Sequence, residues 1–202
     1  MTPEDLAREI TTRGVASERF IVAVAGPPGA GKSTIAEAIV AAIGTGARVV
    51  PMDGFHYDNA VLDKLGLRAC KGAPETFDAL GFFHLMQRLR AGGDAAIPVF
   101  DRDMDLARAG AGMVTGADKY LIVEGNYLLL SEAPWCDLAP LFDLTVFIDV
   151  PEDELDRRLV KRWHHHGKTP AEARHWIDSN DMPNIRRVTH GSRQADIVIG
   201  DN

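Results

Sequence analysis

Residues 20–44, FIVAVAGPPGAGKSTIAEAIVAAIG, constrain what this chain can fold into more than any other stretch. Six apolar residues lead into a glycine-rich turn, and a segment with apolar positions at helical spacing leaves it, so strand, loop and helix follow one another. Gly26-Pro27-Pro28-Gly29-Ala30-Gly31-Lys32-Ser33 fits G-x-x-x-x-G-K-[ST] in full. The glycines let successive backbone N–H groups turn inward towards an anion, and the helix beneath adds the positive end of its dipole. Lys32 supplies a point charge for the β- and γ-phosphates of a nucleotide, the Ser33 hydroxyl suits a magnesium ion, and Thr34 adds a hydroxyl near the α-phosphate. A bare glycine turn would match this pattern by chance in about one percent of chains of this length, so the stretch is read as a phosphate cradle.

The rest of the chain supplies what such a cradle needs. Apolar, β-branched runs at 20–25, 47–52, 119–125, 144–150 and 195–200 are continuous and do not alternate, which predicts strands covered on both faces in a parallel sheet flanked by helices. Helices are expected after Gly31, with Ile35, Ala38, Ile39 and Ala42 on its apolar stripe, across 74–93 with the Gly92-Gly93 pair ending it, and from Pro151 to Gly167. At 202 residues, with 46% hydrophobic and 25% charged, the chain suits one α/β domain over residues 1–202. A net charge of −7 argues against broad nucleic-acid or anionic-membrane binding. No apolar run reaches spanning length, and the polar N-terminus lacks a signal peptide's apolar centre, so a cytoplasmic protein is expected. Cys70 and Cys136 have no metal-type spacing and read as isolated thiols, with a bridge as the alternative. Oligomeric state is left open, a homodimer included.

No N-K-x-D guanine reader or usable D-x-x-G switch accompanies the cradle, and the strand at 119–125 carries Glu124, where motor and transporter ATPases usually carry Asp. A compact ATP-using kinase is therefore the favoured class, with a nucleotide switch acting on a protein as the competing one. Asp53, after the second strand, falls at the carboxyl edge of the sheet, where open α/β proteins bind ligands. There it is either a base for an acceptor hydroxyl that also helps hold a metal, or a turn residue before Gly54. Glu124 reaches the same edge and suits magnesium directly or through water. Asp101 and Arg102 lie in the long stretch between the two.

GPPGAGKST, MDGFHYDNAVLDKLGLRACKGAPETFD, IPVFDRD and LIVEGNYLLL together resemble the phosphoribulokinase, uridine kinase and bacterial pantothenate kinase family. The second motif is most similar to pantothenate kinases, while the short chain and the EGNY variant look like the small proteins described as fructose transport system kinases. The resemblance implies a three-layer P-loop NTPase fold with a parallel five-stranded sheet of order 2-3-1-4-5. It also implies ATP and Mg2+ as cofactors and phosphorylation of a hydroxyl on a small metabolite. By motif position Asp53 matches the family's general base, Ser33 and Glu124 its magnesium residues, and Asp101 a substrate-pocket motif of the uridine kinase branch. Pantothenate kinases are longer, and uridine kinases differ after the catalytic Asp, so a sugar is the favoured acceptor and a nucleoside or pantothenate-type one the alternative.

Arg158 and Arg162 share one helix face, next to Arg157 and Lys161. Kinases of this architecture place lid arginines there, which makes about 157–176 a small helical lid; a solvated basic face is the other reading. His56 suits an acceptor hydroxyl or a structural role, and Tyr127 the acceptor pocket or the core. Lys71, Glu75 and Asp78 form a polar mouth or an ordinary helix start. Asn180, Asp181, Asn184 and Arg187 read as ligand contacts or, more plainly, as turn chemistry around Pro183. His164, His165 and His166 cannot all face one ion from a helix and read as a polar lid tip.

Overall fold

The computed structural model describes residues 1–200. Five parallel strands form the main sheet: β1 (Phe20–Ala25), β2 (Ala47–Pro51), β5 (Tyr120–Gly125), β6 (Leu144–Asp149) and β7 (Ile197–Gly200). They lie in the order β2-β5-β1-β6-β7, which is 2-3-1-4-5 when the parallel strands alone are counted, as expected. The central strand shows why an unbroken apolar run is needed. Ile21, Ala23 and Ala25 face a core with Phe82, Met86 and Leu89 of α4 (Ala79–Arg90). Phe20, Val22 and Val24 face a second core built on α1 (Pro3–Arg13), α2 (Lys32–Ile43), α5 (Glu152–His165) and α7 (Met182–Gly191). Successive side chains point to opposite faces, so a strand covered on both sides is apolar at every position. Each large apolar side chain buried this way contributes roughly 1.5–3 kcal/mol. The edge strands β2 and β7 depart from this, each leaving residues exposed.

Two expectations are corrected, and one element was not foreseen. The apolar stripe of α2 is rotated: Ala36 and Ile39 are fully buried, Ile35, Val40 and Ile43 pack beside them, and Ala42 is exposed. The segment 74–93 is not one helix, because Pro74–Thr76 is a separate 3-10 turn, Phe77 is extended, and α4 begins only after Asp78 caps it through Gly81 N–H at 2.9 Å. The long stretch holding Asp101 and Arg102 is an antiparallel hairpin, β3 (Ala95–Asp101) and β4 (Leu106–Val114). Its register shifts between Ile97 and Val99, at Pro98, which has no N–H to give the ladder. The further short elements are α3 (Asn59–Leu65), α6 (Pro170–Trp176), a π-helical turn (Ile177–Asp181) and 3-10 turns at Met52–Phe55, Arg68–Cys70 and Trp135–Leu141. Both cysteines are free, and no helix among the described residues is long and apolar enough to cross a membrane.

Candidate active site

Most helices here tie up their first N–H groups with side chains: Thr2 caps α1, Asp58 caps α3, Asp78 caps α4 and Thr169 caps α6. The helix α2 has no side-chain cap and no acid in its first turn, and it starts from Gly31 in the left-handed region at φ 85°. Its opening N–H groups are thereby kept for an anion. Around this turn stand Gly26, Pro27, Pro28, Gly29 and Ala30, with Ala30 N–H bonded to Pro27 O at 3.1 Å. Lys32 is buried, and its Nζ donates to Pro27 O at 2.9 Å. Burial pushes its ammonium down to about 8, while Glu124 and then Asp53 pull it back up. An arriving phosphate would raise it further. Thr34, the last residue of the motif, is exposed.

Register carries the acids to this point. Glu124 pairs with Val24 on one side and Pro51 on the other, so the carboxyl ends of β1, β2 and β5 converge. Ser33 Oγ donates to Glu124 Oε2 at 3.2 Å. Burial raises the proton affinity of Glu124 and the Asp53 charge raises it further, whereas Lys32 lowers it. Asp53 sits in the 3-10 turn after β2 with its side chain 23% exposed, and Oδ2 accepts from Arg102 Nη2 at 3.0 Å. Glycine at 54 lets this turn pass close to the hairpin, since a Cβ there would stand 2.4 Å from Pro98 O. His56 lies between Phe77 and Phe100, ring centroids 3.9 and 4.7 Å away. Its Nδ1 meets Asp53 O at 2.8 Å; a carbonyl only accepts, so Nδ1 carries the proton and Nε2 is an acceptor. Burial lowers the imidazole's proton affinity and keeps the ring neutral.

The helix α5 lies over the cradle. Leu155 and Leu159 pack against Gly29, and Arg158 pairs with Glu154 at 2.6 Å while reaching Gly29 O at 3.5 Å. Arg157 points away and pairs with Glu154. One turn beyond Arg158, Arg162 feels Arg102, Asp181 and Asp53, and burial and then Arg102 weaken its hold on its proton. Lys168 lies 5.3 Å from the Trp163 ring and 5.2 Å from that of Trp176, and Trp163 Nε1 donates to Asp181 Oδ2 at 2.6 Å. Among the described residues no group of three or more His, Cys, Asp or Glu could hold a metal, His164, His165 and His166 included.

Several other candidate residues hold bonds within the protein. Lys71 is taken up within the protein: Nζ forms an ion pair with Asp105 Oδ1 at 2.7 Å and donates to Asn59 Oδ1 at 2.8 Å and Asp105 O at 3.0 Å. It locks the hairpin tip onto α3. Asp101 accepts from Met104 N–H at 3.1 Å and Arg108 at 3.5 Å, shaping the same tip. Tyr127 is fully buried against Phe77 and Trp135, and its hydroxyl donates to Gly72 O, so it anchors the turn after Lys71 from within the core. Asp78 caps α4, and Glu75 pairs with Arg187 at 2.8 Å. Asn180 and Asn184 are buried on the π-turn side, with Asn180 Nδ2 donating to Lys71 O at 2.8 Å. The sequence reading missed the clasp of Trp163, Lys168 and Trp176. Two tryptophans flanking a lysine in an otherwise polar segment are the signal that points to it.

The family model for "Phosphoribulokinase / Uridine kinase family" matches residues 21–201. The uncharacterized Escherichia coli protein YggC is 37% identical over 190 residues, covering 90% of this chain and 77% of its own. A pantothenate kinase of Streptococcus pneumoniae is 30% identical over 172 residues, 80% of this chain and 56% of its own. Among solved structures, that of a putative fructose transport system kinase from Silicibacter sp. TM1040 aligns with a TM-score of 0.93 at 40% identity, over 98% of this chain and 99% of that one. The chain belongs to the phosphoribulokinase/uridine kinase family of P-loop kinases, phosphotransferases that act on hydroxyl groups.

Proposed function

We propose that this chain is an ATP-dependent, Mg2+-requiring kinase that transfers the γ-phosphate to a hydroxyl of a small metabolite, a sugar in the first instance. Residues 1–202 act as one kinase domain with a lid at about 157–176. The observation that carries the reading is the convergence of Ser33, Glu124 and Asp53 beside the cradle, where Asp53 acts electrostatically on both Glu124 and Lys32. Mg2+ takes one or two protein carboxylates and completes its octahedron with phosphates and water, and Ser33, Glu124 and Asp53 offer that set of hard oxygen donors. The bound ion would neutralise phosphate charge. Asp53 takes the acceptor's proton as the γ-phosphoryl group arrives in line; Lys32, Arg158 and Arg162 offset the charge on its oxygens. His56 offers Nε2 to an acceptor hydroxyl. A sugar is favoured by the name of the Silicibacter protein at 40% identity; the pantothenate kinase match supports a pantothenate-type alternative.

The test is ADP release across a metabolite panel with Asp53→Asn alongside. Transfer should fall ~10²–10⁴-fold, the usual loss for a general base, while a fluorescent ATP analogue still binds within a few-fold of the parent. Near-parental transfer by Asp53→Asn would overturn the assignment. Hydrolysis that ignores every metabolite but responds to a protein would favour the switch instead.

A further inference from the structure

A cleft of about 420 Å³ lies between α4 and the β3–β4 hairpin, away from the phosphate cradle. Its walls are apolar, built by Phe55, Leu85, Ala96, Pro98 and Ala109. The volume falls within the range usual for small-ligand sites, roughly 300–1,000 Å³. The 3-10 turn Met52–Phe55 separates the cleft from the candidate active site. On the active-site side Asp53 meets Arg102, and His56 lies between Phe77 and Phe100. On the cleft side Phe55 stands edge-on to Phe82 of α4, ring centroids 5.2 Å apart.

Two exposed polar side chains of α4, His84 and Arg88, lie one turn apart at the rim. His84 Nδ1 meets Gln87 Oε1 at 3.1 Å, which leaves Nε2 for a ligand. Arg88 Nη2 donates to the main-chain oxygen of Asp94 at 3.0 Å, while the Asp94 carboxylate is held by Gly116 N–H at 2.8 Å. The neighbouring Arg90, Arg102 and Arg108 each pair with a carboxylate. Among the described residues Arg88 pairs with none, and no acid lines the cleft. A guanidinium keeps its charge at any physiological pH, and its planar fork fits a carboxylate or a phosphate. An apolar floor with such a fork at its rim is complementary to a molecule apolar at one end and anionic at the other.

We infer that this cleft binds a small organic anion with an apolar body, its carboxylate or phosphate on Arg88 and its body against Phe55, Leu85 and Pro98. The occupant meets the turn that carries Asp53 from behind, through Phe55. It meets the hairpin through Pro98, whose carbonyl already lies where a Cβ on Gly54 would overlap it. A ligand there bears on the turn without touching the nucleotide cradle.

The probe is anilinonaphthalene sulfonate, added to protein saturated with Mg2+ and a non-hydrolysable ATP analogue so that the cradle is filled. Its fluorescence should rise on binding. The amide resonances of Phe55, Leu85, Arg88 and Gly110 should shift, while those of Gly31, Lys32 and Ser33 hold still. Naphthoate and naphthyl phosphate then compete for the probe's place, with naphthol as their neutral counterpart. At least one acid should displace the probe about tenfold better than naphthol, the gain expected of one hydrogen bond to a charged group. The better acid identifies the head group. Arg88→Gln should erase that difference. Ala109→Phe, which fills the cleft from the exposed strand β4, should abolish probe binding and leave the urea midpoint of unfolding unchanged. No fluorescence rise, shifts confined to other residues, equal displacement by naphthol, or an acid preference that survives Arg88→Gln overturns the inference. So does a concentration-dependent dimer, seen by sedimentation, that Ala109→Phe dissolves, because the occupant would then be a second copy of this chain.

Discussion

Glu124 shows how much one buried side chain changes when its neighbours are known. From the sequence it is an acid at a strand end; in the fold it lies between Val24 and Pro51, hydrogen-bonded by Ser33 and close enough to Asp53 to be discouraged from ionising. A carboxyl whose proton affinity is raised by burial must lose that proton to receive a cation, so acid should weaken metal binding. The Mg2+ concentration for half-maximal activity should therefore climb as pH falls from about 8 towards 6, through the raised titration of Glu124. Glu124→Gln retains the Ser33 hydrogen bond and removes the charge. Activity should drop, more Mg2+ should be required, and that requirement should no longer vary with pH. A parental Mg2+ profile in Glu124→Gln would make Glu124 a structural strand-end acid.

Among the elements, the hairpin was the least legible. Its strands hold Pro98 and the exposed run Arg108–Ala111, and a ribbon that covers one side of a site need not be apolar enough to stand out by period. The hairpin nevertheless sets the turn that carries Asp53. Gly54 passes so close to Pro98 that a methyl group would overlap its carbonyl, the O···Cβ distance being 2.4 Å. Gly54→Ala must push the 3-10 turn and β3 apart, at a cost of ~1–3 kcal/mol by analogy with overpacked cores. Urea unfolding should show the lower midpoint, and transfer should fall further than ATP binding, because Asp53 and Arg102 sit on the two displaced elements. Unchanged stability and turnover would mean that turn and hairpin move freely past each other.

At the scale of the whole molecule, the π-turn links α5 to the loop at Lys71: Asp181 accepts from Trp163 of α5, and Asn180 donates to Lys71 O. Burial raises the Asp181 carboxyl from 3.8 to about 6, against the pull of Trp163, Arg162 and Lys168. A carboxyl with a raised folded pKa favours the folded state below its unfolded value. That contribution is lost as pH rises from about 4 to about 6, and charge burial then costs up to ~3 kcal/mol at about 1.4 kcal/mol per unit. Asp181→Asn retains an acceptor for Trp163 and removes the charge. Its urea midpoint should exceed the parent's at pH 7 to 8 and converge on it near pH 4. A variant less stable than the parent at pH 7 would show that the charge, held by Arg162 and Lys168, contributes more than its burial costs.

What the sequence by itself determined is the part written in contiguous residues. The cradle is a local spacing, and a strand buried on both faces is apolar at every position whatever its partners, so cradle, parallel sheet and the places of Lys32, Ser33, Asp53 and Glu124 at one sheet edge were all legible. The strand order followed from the resemblance those motifs carry. Tertiary structure alone decided which polar groups remain available to a ligand. The sequence left Lys71 and Tyr127 between ligand and structural roles; in the fold they and Asp101 bond partners inside the protein, while Arg102 crosses from a hairpin to pair with Asp53. A polar side chain bonds whatever lies within about 3 Å, and for residues far apart in the chain that neighbour is set by how separate elements pack, which no local period records.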